Sequence, residues 1–374
     1  MVVIKSKIIK LTNAAMKKLF NKYKLGNIEL NNRIVMAPMT RSRATQNIPN
    51  EMMAEYYRQR STAGLIITEG TAPSPNGLGY ARIPGIYNKN QVKGWKKITD
   101  AVHQEGGKIF MQLMHTGRVS HPDNMDDGSQ VMAPSAVALS GEMWTDQNGM
   151  QAYPVPKEMT LHNIDETENE YVSAAKNAIE AGFDGVELHG ANGYLIDQFI
   201  NTASNKRTDK YGGTMENRAR FVIEVAAKVA EAIGPEKTGI RLSPYGAFND
   251  MESFEGLEDT FEYIAQELGK LNLAYIHVVD HSSMGAPEVP ESVKSKIQMA
   301  FGGPIIASGG FNDRTRAEKV IEQGNGDLVA FARPYISNPD LVYRLENDLP
   351  LDQPDPDTFY TPGEKGYTDY VFYK

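Results

Sequence analysis

The residues in this chain best suited to chemistry follow short apolar runs. They are Thr40, Arg41 and Arg43, then Glu69-Gly70-Thr71, Gln112 and His115, and the segment His189-Gly-Ala-Asn192-Gly-Tyr194. Arg241, Gly309-Gly310 and Arg333 complete the set. It is rich in hydrogen-bonding groups and poor in paired acids, so it suits holding a polar planar ligand together with a phosphate. Arg241 lies inside an otherwise apolar run, where an unpaired guanidinium is very costly. It must meet an acid, a carbonyl or a bound anion. Gly309-Gly310 precedes a helix start, where free N–H groups can cradle a phosphate, and Arg333 can add a charged donor. Each has an ordinary structural reading as well. A histidine after a strand is often a satisfied structural residue, a Gly-Gly pair can be a tight turn, and Arg41 and Arg43 can be surface or ion-pair residues.

The elements that must carry these residues repeat a single unit. The apolar runs are Ile34-Val-Met-Ala-Pro38, Leu65-Ile-Ile-Thr-Glu69, Ile109-Phe-Met-Gln-Leu113 and Gly185-Val-Glu-Leu-His189. The second half adds Thr238-Gly-Ile-Arg-Leu242, Tyr275-Ile-His-Val-Val279, Pro304-Ile-Ile-Ala307 and Leu328-Val-Ala-Phe331. Continuous apolar runs of this length suit strands buried on both faces. Amphipathic helices separate them. One carries an apolar stripe from Tyr171 to Ile179, with Thr167 and Glu170 as a capping box and Gly182 as its stop. Another runs through Phe221, Val225, Val229 and Ile233 to Gly234-Pro235. Eight strand–helix repeats predict an α/β fold, a single (β/α)8 TIM barrel; a doubly wound open sheet is the second choice. In such barrels the strand C-termini and following loops line the active site, and phosphate sites often follow strands seven and eight. From 115 to 160 the alternation lapses into Gly, Pro, Asp and Ser, which predicts a long lid insertion after strand 3.

Composition narrows the classes. At 374 residues, 41% hydrophobic and 23% charged, the chain can bury a sizeable core. A net charge of −8 argues against nucleic-acid partners. The absence of cysteine excludes disulfides, thiolate zinc sites and iron–sulfur clusters, and is compatible with the expected cytoplasmic location. No apolar run approaches the roughly 20 residues that span a bilayer, so no membrane partner is expected. Lysines interrupt the apolar residues at the N-terminus. Residues 1–15 are therefore read as an extension, with 16–374 as the barrel domain.

Several longer motifs carry a resemblance. Ala37-Pro-Met-Thr40-Arg-Ser-Arg43, His189-Gly-Ala-Asn192-Gly-Tyr194, and Ser204 through Tyr211 to Phe221 are similar to the Old Yellow Enzyme family. So are Phe331-Ala-Arg333-Pro-Tyr-Ile-Ser-Asn338-Pro-Asp340-Leu341 and Gly366-Tyr367-Thr-Asp-Tyr370. The resemblance implies an FMN-dependent, N-ethylmaleimide reductase-like ene-reductase of the branch that carries Thr at position 40. Such enzymes use NADPH or NADH to reduce the activated C=C bond of an enone, nitroalkene or other nitro compound, a nitro ester being a further substrate. By position, Thr40 meets the flavin C4 carbonyl, Pro38 and Met39 pack beside the ring, and Gly70 gives it room. Gln112 binds the pyrimidine edge, and Arg241 stabilises the reduced ring. Gly309, Gly310, Ala332 and Arg333 hold the phosphate. The resemblance further implies that His189 and Asn192 polarise the substrate oxygen while hydride leaves flavin N5. Tyr194 then protonates the α-carbon, and Tyr80 and Tyr360 line the pocket. No metal is implied, and the chain is expected to be a monomer or homodimer.

The chain departs from the pattern in places. Met114 stands where relatives often carry an aromatic, which implies a roomier pocket. Ala332 replaces the usual Gly. A rival class is a metal-dependent hydrolase or aldolase barrel, since His115, His189, His277 and His281 all lie near strand ends. No lysine within the strands suits a Schiff-base aldolase. A degenerate flavin-storing barrel is the non-enzymatic alternative.

Overall fold

The structure, a computed structural model, describes residues 18–373. The expected 1–15 extension lies outside the described residues. Eight parallel strands close on one another: β1 (Ile34–Met36), β2 (Leu65–Ile67), β3 (Ile109–Leu113) and β4 (Gly185–Gly190), then β5 (Thr238–Leu242), β6 (Tyr275–Val279), β7 (Ile305–Ser308) and β8 (Leu328–Phe331). β8 pairs back onto β1, with Ala330 beside Val35, so the sheet has no open edge. The fold is a (β/α)8 barrel, and the open-sheet alternative falls away. A helix follows each strand: α1 (Glu51–Arg58), α2 (Lys89–Gln104), α3 (Leu161–Glu180), α4 (Met215–Ile233), α5 (Leu257–Lys270), α6 (Glu291–Phe301), α7 (Arg314–Gln323) and α8 (Leu341–Glu346).

One expected boundary is wrong. α3 starts six residues before Thr167, at Leu161. Its capping box is Thr160 with Asn163, the threonine hydroxyl accepting from the Asn163 N–H and the Asn163 carboxamide oxygen from the Thr160 N–H. Thr167 is buried within the helix. The earlier Thr-x-x-Asn pair captures the free N–H groups first.

The two-residue period of the strands divides the barrel interior by height. Towards the strand N-termini, Val35, Leu65, Phe110, Tyr275, Ile306 and Leu328 pack as one apolar cluster. The antiparallel hairpin of Tyr23–Leu25 and Ile28–Leu30 adds Leu25 and Leu30 to it. A Cβ at Gly239 would collide with the Tyr275 ring, so that glycine makes room for the plug. Towards the strand C-termini the inward positions are polar. Register sets Gln112 beside Glu187, His189 beside Arg241, and Arg241 beside His277.

The chain between β3 and α3 has structure of its own. Met132–Ala133 pairs with Lys157–Glu158, and Glu142–Thr145 forms an antiparallel hairpin with Gly149–Ala152. The Asn148-Gly149 turn was the available sequence signal for that hairpin.

Candidate active site

A cavity of about 880 Å³ opens at the C-terminal end of the barrel. Its size falls in the range of small-molecule and cofactor sites. The strands supply its floor. Pro38 and Thr40 follow β1, Gln112 belongs to β3, His189 to β4 and Arg241 to β5, and all reach the cavity. Gln112 Nε2 donates to Glu187 Oε1 at 2.8 Å, and Glu187 Oε2 lies 2.9 Å from His277 Nδ1. Glu187 and His277 are fully buried. This chain of contacts fixes the Gln112 carboxamide. Arg241 is 7% exposed, and its buried Nε has no hydrogen-bond partner among the described residues. His189, 3% exposed, has an Nδ1 without a hydrogen-bond partner among the described residues. Burial, and secondarily the positive charge of Arg241, holds the His189 imidazole well below its usual value, so it is neutral near pH 7.

The His189–Tyr194 segment turns back over the floor. Asn192 and Gly193 both have left-handed backbone, with φ of 62° and 74°. At Gly193 a side chain would also meet Phe248 and Asn249. The Asp197 carboxylate accepts from the Gly193 N–H at 2.8 Å, and Ser243 Oγ accepts from the Asn192 N–H at 2.9 Å. The turn delivers Tyr194 to within 4.8 Å of the His189 ring, edge to face. The Tyr194 and Tyr80 hydroxyls are 3.0 Å apart. Burial pushes the Tyr194 phenol up to about 12, while the hydrogen bond with Tyr80 pulls it down. Tyr194 therefore keeps its proton at neutral pH.

Loops form the rim. Met143, Trp144, Met150 and Tyr153 come from the hairpin region after β3, and Tyr360 from the C-terminal segment. Arg82 ties the two together: its guanidinium pairs with Asp146 and donates to the Tyr360 carbonyl at 2.8 Å. Arg41 and Arg43 differ from their surface reading, since both are 1% exposed. Arg41 donates to the carbonyls of Phe359 and Gly366, and Arg43 to those of Thr358, Phe359, Gly363 and Lys365. The Tyr367 ring stacks on Tyr56 at 4.0 Å. The segment that begins with Pro38 and Thr40 thus also clamps the chain carrying Tyr360.

Not every expected residue lines this cavity. Met39 packs against the core, and Gly70 is buried beneath Met114, which any Cβ at 70 would strike. Met114 itself lines the cavity. Gly309 and Gly310 follow β7, and Ala332 and Arg333 follow the adjacent β8, outside the cavity lining. Gly310 and Arg333 are exposed, and the Gly310 carbonyl accepts from Arg316. Sequence reasoning passed over Glu187, whose apolar strand neighbours resemble core, the hairpin residue Trp144, and Tyr153 just after the hairpin. The four strand-end histidines do not gather into a metal-binding group among the described residues. No helix among these residues is long and apolar enough to cross a membrane.

Residues 18–352 match the NADH:flavin oxidoreductase / NADH oxidase family. The chain belongs to it. This flavin oxidoreductase family is also where the Old Yellow Enzyme resemblance led. Relatives include a probable flavin mononucleotide-dependent alkene reductase of Leishmania infantum, 44% identical over 93% of this chain and 95% of that protein. The 12-oxophytodienoate reductase 1 of Oryza sativa subsp. japonica is 42% identical over 97% and 95%. Among solved structures, morphinone reductase superposes with a TM-score of 0.91 at 42% identity, covering 95% of this chain and 96% of that one. Morphinone reductase in complex with tetrahydroNAD gives 0.90 at 42% identity over 95% and 98%. The old yellow enzyme homologue of Zymomonas mobilis gives 0.90 at 39% identity over 95% and 99%.

The residues present fit the family's flavin. Arg241 brings a buried Nε without a partner among the described residues, which suits an electron-rich ring, and Thr40 and the fixed Gln112 present polar groups to the same cavity.

Proposed function

We propose that the protein is an FMN-dependent ene-reductase that uses NADPH or NADH to saturate the C=C bond of an α,β-unsaturated carbonyl or nitro compound. The observation that carries this reading is the convergence of Arg241, whose buried Nε has no partner among the described residues, the His189 and Asn192 side chains and the Tyr194 phenol on one cavity. When bound and reduced by the nicotinamide, FMN would supply the hydride. Thr40 and Gln112 bind the polar edges of the ring, and Arg241 opposes the negative charge it gains on reduction. Pro38, Met39 and Gly70 shape its surroundings. Gly309, Gly310, Ala332 and Arg333 hold the phosphate.

His189 and Asn192 donate to the substrate oxygen, drawing electron density from the β-carbon. A neutral His189 does this without surrendering a proton, which leaves protonation of the α-carbon to Tyr194. Tyr80 is placed to donate to the Tyr194 oxygen, an arrangement that leaves the Tyr194 proton free for that carbon. Tyr360 and the 115–160 excursion, acting as a lid, exclude water within a single barrel unit of residues 16–374. The similarity to an alkene reductase and an oxophytodienoate reductase supports the same reaction class. Purified protein is expected to be yellow with one FMN per chain, and to oxidise NADPH or NADH when an enone is added. A colourless sample that cannot be loaded with FMN contradicts the reading.

A further inference from the structure

His281 follows β6 and does not line the cavity, yet it touches a residue that does. Its Nε2 lies 2.6 Å from the Asn192 carboxamide oxygen. A carboxamide oxygen only accepts, so the His281 proton must sit on Nε2 and donate. The consequence falls at the other end of the same amide. Asn192 Nδ2 has no protein acceptor among the described residues, and Asn192 borders the cavity. The Asn192 backbone is held separately, its N–H by Ser243 and its carbonyl by Asn249 Nδ2 at 2.7 Å. Among the described residues, His281 therefore governs which way the amide group points. The imidazole is itself steadied edge-on to Phe248, with ring centroids 4.7 Å apart. Burial, with Arg241 second and His277 also facing it, pushes His281 down to about 4 against the opposing pull of Asp280. A single neutral tautomer thus persists across neutral pH.

We propose that His281 is a positioning residue that locks the Asn192 carboxamide with its N–H towards the cavity, so that the site favours ligands presenting an acceptor oxygen. Carbonyl, nitro and phenolate groups meet that demand, whereas an amine donor does not. The inference rests on Asn192 contacting the substrate oxygen, as described above. Without His281 the amide can turn over and present its oxygen instead, which divides its population between a helpful and an opposing orientation.

The test titrates holoenzyme with 4-methylphenol and with 4-methylaniline, following the flavin spectrum. The wild type should prefer the phenol. His281→Phe should weaken phenol binding roughly five- to tenfold, the size of one hydrogen bond, and narrow the phenol-to-aniline ratio by a similar factor. His281→Gln, which retains a donor, should restore both to within about twofold. In an Asn192→Ala background His281→Phe should change neither. An equal loss in both backgrounds, or an unaltered ratio in His281→Phe, overturns the positioning role. A wild type that binds no phenol overturns the reading of Asn192, and this inference with it. The ratio is read only on FMN-loaded protein, so partial misfolding of His281→Phe cannot imitate the result.

Discussion

The floor and the rim of the cavity are built by different means. Floor residues Gln112, His189 and Arg241 stand on paired strands, two of them in direct register, and strand-borne Glu187 braces the first. Rim residues Trp144, Tyr153 and Tyr360 stand on the hairpin region and a C-terminal segment, joined by Arg82 and clamped by Arg41 and Arg43. The floor keeps buried polar atoms unpartnered, which rigid pairing on neighbouring strands can sustain. The rim spends its polar groups on holding itself together and turns apolar surface inward; Trp144 remains 55% exposed. The difference supports the proposal that the floor carries the reaction chemistry and the rim the choice of substrate.

The comparison breaks most readily at the floor. Replacing both His189 and Asn192 by alanine should lower enone reduction by roughly 10³-fold or more, since two preorganised donors are lost. It should also abolish tight phenol binding. Retained phenol affinity in that double variant, read by flavin absorbance, would unseat both assignments. Arg241→Met comes next. Losing a buried cation worth about 3 kcal/mol to a developing charge should lower FMN retention, and should shift the two-electron potential of the bound flavin downward by roughly 60 mV. Spectroelectrochemistry measures that shift, and an unchanged potential counts against the role of Arg241.

The rim should respond weakly and selectively. Trp144→Ala should leave FMN content and potential untouched while changing kcat/KM by about tenfold or less, with a different factor for bulky and compact enones. A uniform loss across substrates, or a loss of FMN, would erase the distinction between the two regions.

Legibility in the sequence follows the same line. All eight strands showed as apolar runs because a closed parallel barrel buries both strand faces. The floor was readable because polar residues interrupt those runs at their C-terminal ends, Arg241 most plainly. Glu187 was missed for the converse reason: its partners Gln112 and His277 lie 75 and 90 residues away, and no local pattern reports them. The rim hairpin hid within a turn-rich stretch whose alternation spans only a few residues. Arg41 and Arg43 looked like surface charges because the carbonyls that receive them lie more than 300 residues downstream.

Tyr194 carries the central claim, because it separates proton delivery from everything the floor does for the cofactor. Stopped-flow measurement of both half-reactions in Tyr194→Phe tests it most directly. Reduction by NADPH or NADH should stay within about twofold of wild type. Reoxidation by an enone should slow roughly 10²-fold or more, whereas in the wild type that step should show no Tyr194-linked inflection below about pH 10, given a phenol raised to about 12. Equal slowing of the two half-reactions would contradict the account.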